Sequence, residues 1–198
     1  MKVTKAEIRE EARRIFLADG MRGLSMRKLA KGLGVTATSL YWHYANKEEL
    51  VADVFVDGAE VFSQYLVAAL EGADSGERLR RTSEAFLRFG LERPRHFELF
   101  FLHRPEGIEE SFVEPFAARR RATFQFLVDR IRENLDEGRL KPVASAAELS
   151  LILMSTAQGL VGLHLNGQLD QADEEFRKTY RRALGVLLDS WAAPSDQS

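Results

Sequence analysis

Residues 25–47 have the sequence SMRKLAKGLGVTATSLYWHYANK. This stretch contains two short helical patterns around Gly34 and no acidic residue. Together with Arg22, just before it, it carries five positive charges. A helix pair of this size that is basic on one side and apolar on the other fits the major groove of DNA. The stretch therefore predicts a pair of helices that contacts DNA.

The two helical patterns have the spacing of a helix-turn-helix. Ala30 is small where the next helix must cross closely, and Gly34 follows four residues later at the sharp turn. Leu40, six residues further on, fills the angle between the helices. Ser25 and Thr36 are preferred N-cap residues, so they predict the starts of the second and third helices. The third helix is expected to run for about two turns, through His43.

Small hydroxyls and aromatic rings remain exposed on the predicted third helix. Hydroxyls suit phosphates and base edges, and rings suit thymine methyl groups and sugars. The amide ends of the second and fourth helices suit phosphates, assisted by Arg27 and Lys47. A tryptophan in a helix is often a core residue. Because Leu40 already fills the buried side here, Trp42 is expected to point outward. Tyr44 is expected to lie in the core. The predicted DNA-binding residues are Ser25, Arg27, Thr36, Thr38, Ser39, Tyr41, Trp42, His43 and Lys47.

The charge is unevenly distributed along the chain. Residues 1–50 contain ten Lys/Arg and six Asp/Glu, whereas residues 51–198 contain eighteen and twenty-four. This asymmetry predicts a basic contact module attached to a part with another role. We therefore expect a helix-turn-helix DNA-binding domain over residues 1–46 and a ligand-binding and dimerisation domain over residues 47–198.

Several function classes lack sequence support. The chain has no cysteine, which excludes disulfides, thiolate zinc sites and thiol catalysis and is consistent with a cytoplasmic protein. Its four histidines, at 43, 96, 103 and 164, lack metal-ligand spacing, and no Ser–His–Asp arrangement has local support. We therefore predict no catalytic residues, no metal, no cofactor and no enzymatic activity. The charged N-terminus is not a signal peptide, and the apolar stretch 149–165 is interrupted by polar residues, which favours a buried helix over a membrane span.

The whole chain is predicted to be all-α, with about nine helices. Period-3.6 apolar patterns recur throughout, and no stretch alternates with period two for long enough to form a strand. Pairs of capping residues predict five helix starts: Thr4 with Glu7, Asn46 with Glu49, Asp74 with Glu77, Ser145 with Glu148, and Asp170 with Asp173. Apolar spacing predicts a helix over residues 109–137.

Residues 8–55 resemble the N-terminal domain of the TetR family of bacterial transcription regulators. The resemblance is carried by Ala12, Phe16, Gly20, Leu24, Ser25, Arg27, Leu29, Ala30, Leu33, Gly34, Val35, Leu40, Tyr41, His43, Tyr44, Lys47 and Leu50. It implies an all-α homodimer, a DNA-binding head of three helices and a C-terminal domain that binds an inducer. It also implies DNA contacts at Arg27, Thr36, Thr38, Tyr41, Trp42, His43 and Lys47. The third helix departs from the pattern, because Ala37 and Ser39 stand at its start and no Gln, Asn or Arg is present for bidentate base contacts.

The predicted C-terminal domain, residues 47–198, yields two sets of candidate residues. Its many phenylalanines are typical of a core but also suit an apolar ligand cavity, for which we predict Phe86, Phe89, Phe100, Phe101, His103, Phe124 and Gln158. The last two helices are expected to form a four-helix dimer interface through Gly159, Gly162, Tyr180, Leu184, Leu187 and Trp191, unless both are buried within one chain.

The working hypothesis is a DNA-binding repressor that is released by a small, largely apolar ligand. It requires double-stranded DNA, an effector and a second copy of the chain as partners, and no membrane. One alternative is an all-α enzyme or ligand carrier, for which Gln158, His164 and Arg104 are the candidate polar residues. A ligand-independent regulator and an activator also remain open.

Overall fold

The computed structural model describes residues 3–103 and 109–194. Within these residues the chain forms nine α-helices and no strand; one isolated bridge joins Leu140 to Ala192. The predicted all-α class is therefore confirmed. In chain order the helices are α1 (Lys5–Gly23), α2 (Met26–Leu33), α3 (Ala37–Tyr41), α4 (Lys47–Val67), α5 (Ser75–Glu92), α6 (Pro94–Phe97), α7 (Glu110–Asp136), α8 (Ala146–Leu165) and α9 (Asp173–Trp191). A 3₁₀ turn, Ala68–Glu71, follows α4, and a π-helical turn, Glu98–Leu102, follows α6.

Side-chain caps set most helix starts where the sequence predicts them. At α1, Thr4 accepts a hydrogen bond from the Glu7 amide at 3.2 Å, and the Glu7 carboxylate accepts one from the Thr4 amide at 2.8 Å. Ser145 and Glu148 form the same reciprocal capping box at α8. The expected start of α9 at Asp170 is wrong, because that helix begins at Asp173 after Ala172, which provides no side-chain cap.

The chain divides into two compact units. The first comprises Met1–Val61 and Arg95–Arg120, and the second Phe62–Pro94 and Arg121–Ser198, in each case apart from the residues that the structure does not describe. The division falls inside α4, α6 and α7, so it does not coincide with the predicted boundary after residue 46. That boundary stays a prediction about function.

The core of the first unit is built around α1 and α4. Phe55 of α4 is completely buried, and its ring makes edge contacts with Phe16 at 5.4 Å and Phe116 at 5.0 Å between centroids. Leu40 and Tyr44, at the end of the helix-turn-helix, are also buried. Burial of these apolar side chains holds the short helices α2 and α3, which are too short to be stable alone.

The second unit packs α5 against α8 and α9. Phe62 contacts the rings of Phe86 and Phe89, and the Tyr180 hydroxyl of α9 donates a hydrogen bond to the Ser83 carbonyl of α5 at 3.0 Å. By length and composition α8 is apolar enough to cross a membrane, but it carries buried residues such as Leu153 that belong to this core. Only 33% of its most apolar stretch is buried within the chain, so α8 keeps an exposed apolar face.

Candidate nucleic-acid interface

The turn between α2 and α3 has the geometry that the sequence predicts. Gly34 adopts a left-handed conformation (φ 65°, ψ 30°), which a glycine reaches without steric cost. The Val35 amide donates to the Ala30 carbonyl at 3.0 Å and satisfies a carbonyl at the end of α2. Leu29 and Ala30 are buried, and Leu33 at the end of α2 is half-buried. The two helices therefore form a helix-turn-helix.

Two aromatic rings at the C-terminal end of α3 point outward. Trp42 is 85% exposed and Tyr41 is 53% exposed, whereas Leu40 and Tyr44 on either side of them are buried. The prediction that Trp42 points away from the core is confirmed, as is the placement of Tyr44 in the core. Large aromatic side chains that stay exposed this fully are typical of binding surfaces.

The third helix is shorter than expected, because it spans five residues rather than two turns. His43 lies beyond its end and is half-buried. Thr36 caps the helix: its hydroxyl accepts from the Ser39 amide at 3.3 Å and lies 2.9 Å from the Ser39 hydroxyl. Thr38 and Thr36 are exposed, and Ser39 is half-buried.

Basic side chains lie on the helices before and after the exposed rings. Arg27 of α2 is exposed, as is the N-cap residue Ser25. Lys28 is partly neutralised by Asp19, because its Nζ lies 2.5 Å from a carboxylate oxygen. Lys47, at the start of α4, is half-buried and donates to the Met21 carbonyl at 2.6 Å. An ammonium has three donors, so this bond leaves Lys47 able to contact a phosphate as well.

A charge cluster that the sequence analysis missed joins α1 to α4. We call it the Asp57 cluster, and it consists of Arg9, Arg13, Asp53, Asp57 and His96. Arg9 pairs with Asp53 at 3.3 Å and with Asp57 at 3.2 Å, and Arg13 pairs with Asp57 at 2.5 Å. The sequence does carry a signal for this cluster. Two arginines lie four residues apart on one helix, and two aspartates lie four residues apart on another. Because Arg13 is 2% exposed, this pairing lies in the interior.

The buried end of the helix-turn-helix is attached to this cluster. The Tyr44 hydroxyl donates to the Asp53 carboxylate at 2.6 Å. Burial, and then the neighbouring Asp53 carboxylate, raise the pKa of Tyr44 well above its ordinary value, so the hydroxyl keeps its proton at all ordinary pH values. Lys5 lies 4.9 Å from the centre of the Tyr44 ring. These contacts fix Tyr44, two residues after the exposed ring of Trp42.

Family comparisons agree with this geometry. Residues 8–54 match the model of "Bacterial regulatory proteins, tetR family", and residues 79–187 match that of "Tetracyclin repressor-like, C-terminal domain". The second match alone covers more than half of the chain. The chain belongs to the TetR family.

Individual TetR-family proteins are similar over nearly the whole chain. The transcriptional regulator AcrR of Shigella flexneri is 23% identical over 211 residues, covering 95% of this chain and 89% of AcrR. A solved tetR-family regulatory protein from Rhodococcus RHA1 has a TM-score of 0.80 at 18% identity, covering 96% and 98% of the two chains. The structure of the ketosteroid transcriptional regulator KstR2 of Mycobacterium tuberculosis has a TM-score of 0.75 at 18% identity, covering 98% and 97%.

TetR-family membership makes the chain a DNA-binding transcriptional regulator and not an enzyme. Two of the three residues proposed for an enzyme, His164 and Gln158, lie in the part of the chain that the structure describes. His164 stacks on Phe176, with ring centroids 4.1 Å apart, and its Nε2 lies 2.9 Å from Asp173, which are structural contacts within the α8–α9 hairpin. Gln158 is half-buried in α8, and Arg104 lies outside the described residues.

The seven predicted ligand residues are divided between the two units. Phe86, Phe89, Phe124 and Gln158 belong to the second unit, and Phe100, Phe101 and His103 to the first. Most of them have aromatic neighbours. Phe86 and Phe89 contact the ring of Phe62, and Phe100 contacts the ring of Phe101. Their convergence on one ligand site stays a prediction. A separate groove of about 680 Å³ opens within the second unit, and none of the seven lines it.

Three of the six predicted dimer residues are already used within one chain. Tyr180, Leu184 and Trp191 are 1%, 3% and 7% exposed. Helix α5 of the same chain packs against this side of α9, as the hydrogen bond from Tyr180 to Ser83 shows. These three side chains therefore offer no surface to a second copy. Leu187 is half-buried, Gly162 is buried and Gly159 is exposed.

Lys47→Ala tests the phosphate contact. We expect the variant to bind all DNA sequences more weakly by the same factor, because a phosphate contact carries no sequence information. The slope of the logarithm of affinity against the logarithm of salt concentration should become shallower by about one unit. Titrations of labelled duplex DNA at several salt concentrations measure both quantities. An unchanged slope would show that Lys47 donates to the Met21 carbonyl and contacts no phosphate.

Proposed function

We propose that this chain is a cytoplasmic homodimeric repressor that recognises its operator mainly through thymine methyl groups, phosphates and DNA shape. A small, largely apolar ligand bound in the C-terminal domain is proposed to release it. The proposal assigns DNA contacts to Ser25, Arg27, Thr36, Thr38, Ser39, Tyr41, Trp42, His43 and Lys47. The observation that carries it is the outward projection of Tyr41 and Trp42 beside buried Leu40 and Tyr44.

The composition of α3 supports methyl and phosphate contacts over bidentate hydrogen bonds. The helix has the sequence ATSLY, so no side chain in it pairs in a bidentate way with guanine or adenine. The hydroxyls of Thr36 and Ser39 are already engaged in the N-cap. The exposed rings of Tyr41 and Trp42 provide apolar surface, which suits the thymine methyl group in the major groove.

Replacing thymine by uracil in the operator tests this mode of recognition. An operator is first selected from random duplex DNA, and each thymine in it is then replaced singly by uracil, which lacks the methyl group. At each contacted position we expect affinity to fall about threefold to fourfold, since a buried methyl group contributes about 0.8 kcal/mol. Thymines outside the protected site are the control. A set of uracil operators that all bind like the parent would contradict methyl recognition.

The exposed face of α8 supports a dimer. Ile152 and Leu163 are exposed, and the exposed small residues Ser155 and Gly159 lie between them at helical spacing. A Cβ atom added to Gly159 would meet nothing within 4 Å in its own chain, so packing within one chain does not require glycine there. Val186 adds an exposed apolar side chain on α9. Dimers are typical of the family.

We therefore propose that this face, rather than the buried residues Gly162, Tyr180, Leu184 and Trp191, forms the dimer interface together with Leu187. A twofold dimer places two recognition helices about 34–36 Å apart, which is one turn of DNA. A molar mass equal to that of one 22.4 kDa chain under DNA-binding conditions would contradict the dimer.

The ligand proposal is supported by the number of aromatic rings among the predicted ligand residues and by the effectors that are typical of the family. To change operator occupancy decisively, a ligand must prefer the released state by roughly 5 kcal/mol. A panel of small apolar compounds is screened for a rise in melting temperature, and the hits are added to the operator complex. Hits that stabilise the protein but leave operator affinity unchanged would contradict release by a ligand.

A further inference from the structure

The segment that follows α5 is bound directly to α1 and α4. The chain leaves α5 at Glu92 and enters α6 at Pro94, so Arg95 and His96 come within four residues of the end of α5. His96 Nε2 lies 3.4 Å from Asp57 Oδ2 on α4. Arg95 Nη1 donates to Glu10 Oε1 on α1 at 3.0 Å. Two successive side chains therefore contact two different helices of the first unit.

Asp57 is the acceptor that His96 shares with two arginines of α1. Its side chain is 17% exposed and lies within 3.4 Å of Arg9, Arg13 and His96, which come from α1 and α6. Burial raises the pKa of the carboxyl group, but the hydrogen bond from His96 and the charges of Arg9 and Arg13 outweigh it, so the pKa of Asp57 lies below its ordinary value. The group is therefore an anion at neutral pH, and it holds donors from both helices.

Glu10 extends the same arrangement to the surface. Its carboxylate pairs with the buried Arg13 on one side and with Arg95 on the other. Arg13 thus contacts Asp57 and Glu10, the two acidic residues that also bind His96 and Arg95. Buried charges of this kind are costly to leave unpaired, so the positions of their partners are strongly restricted. A shift of Arg95 and His96 would disturb α1 and α4 together.

We propose that Arg95 and His96 are positioning residues for DNA binding, which hold α1 and α4 in the orientation that the operator requires. They contact no DNA in this proposal. They act through Glu10 and Asp57, and through them on the helix-turn-helix, since Asp53 of the same cluster holds Tyr44. This inference rests on the proposed dimer that binds two half-sites of an operator.

The test measures how strictly the protein selects the spacing of the half-sites. Affinity is measured for the selected operator and for the same operator with one base pair inserted at its centre. The ratio of the two affinities reports the orientation of the heads, and a uniform loss of affinity or stability does not change it. The disruptive variant is Arg95→Gln with His96→Leu. The conservative variant is Arg95→Lys with His96→Gln, which keeps a donor at each position.

Arg14→Gln is the matched control, because Arg14 is 50% exposed, close to the 54% of Arg95, and pairs with Glu11 on its own helix. We expect the ratio to fall about threefold or more in the disruptive variant. It should stay within about twofold of the wild-type ratio in the conservative variant and in Arg14→Gln. Should the disruptive double variant unfold, Arg95→Gln alone decides, since Arg95 lies at the surface.

Wild-type ratios in both the disruptive variant and Arg95→Gln would overturn the inference. An equal fall in the disruptive and conservative variants would overturn it too, because the hydrogen bonds would then not matter. If the wild-type protein fails to bind duplex DNA or ignores the inserted base pair, the proposed function fails and this inference falls with it. If the wild-type protein prefers one spacing and every variant keeps that preference, this inference is overturned and the proposed function is not.

Discussion

Phe55→Ala should lower the free energy of unfolding by about 3–5 kcal/mol. The Phe55 side chain is completely buried in α4 and makes edge contacts with Phe16 and Phe116. Alanine removes that apolar surface and leaves a cavity that the rigid helices around it fill only in part. Urea unfolding followed by far-ultraviolet circular dichroism, at one protein concentration for all variants, measures the loss.

Val67→Ala on the same helix is the control, because Val67 is 62% exposed. Its replacement should change the free energy of unfolding by no more than about 0.5 kcal/mol. A loss below about 1 kcal/mol for Phe55→Ala would mean that the aromatic cluster around α4 is not the core of the first unit.

Trp42→Ala should weaken operator binding by about 1–3 kcal/mol while the melting temperature stays unchanged. The ring is 85% exposed, so its removal leaves no cavity. The same exposed surface is what we propose to contact thymine methyl groups and sugars, and that contact is lost in the variant. Affinity for the selected operator and for an unrelated duplex separates specific from general binding.

Val143→Ala provides the control for Trp42→Ala, since Val143 is 61% exposed and lies in the loop between α7 and α8. It should bind the operator like the wild type. An equal weakening of Trp42→Ala on the operator and on the unrelated duplex would assign Trp42 to the phosphate backbone. Unchanged binding to both would remove it from the interface.

Features that depend on a few neighbouring residues were predictable from the sequence. The caps at Thr4, Ser25 and Thr36 and the left-handed Gly34 involve contacts within three or four residues, so their signals are local. Where two local signals compete, the prediction fails. Asp170 and Asp173 both suit a helix start, and Asp173 is the first residue of α9.

Features that depend on distant partners were not predictable. The period of α9 indicated an apolar side at Tyr180 and Leu184, but not that α5, nearly one hundred residues earlier, packs against it. The burial of Arg13 depends on Asp57, which lies 44 residues away in the sequence. A single sequence shows that a helix has an apolar or charged side and does not show which helix meets it.

The two tryptophans of the chain differ in environment in a way that serves as a built-in optical probe. Trp42 lies in water, whereas Trp191 is 7% exposed. Indole emission moves to longer wavelength in water, and dissolved iodide quenches only rings that it can reach. Iodide should therefore quench the red-shifted emission of Trp42 and leave the shorter-wavelength emission of Trp191 unchanged. Protection of the red component on addition of duplex DNA would report occupancy of the head in unlabelled protein, with Trp191 as the internal reference.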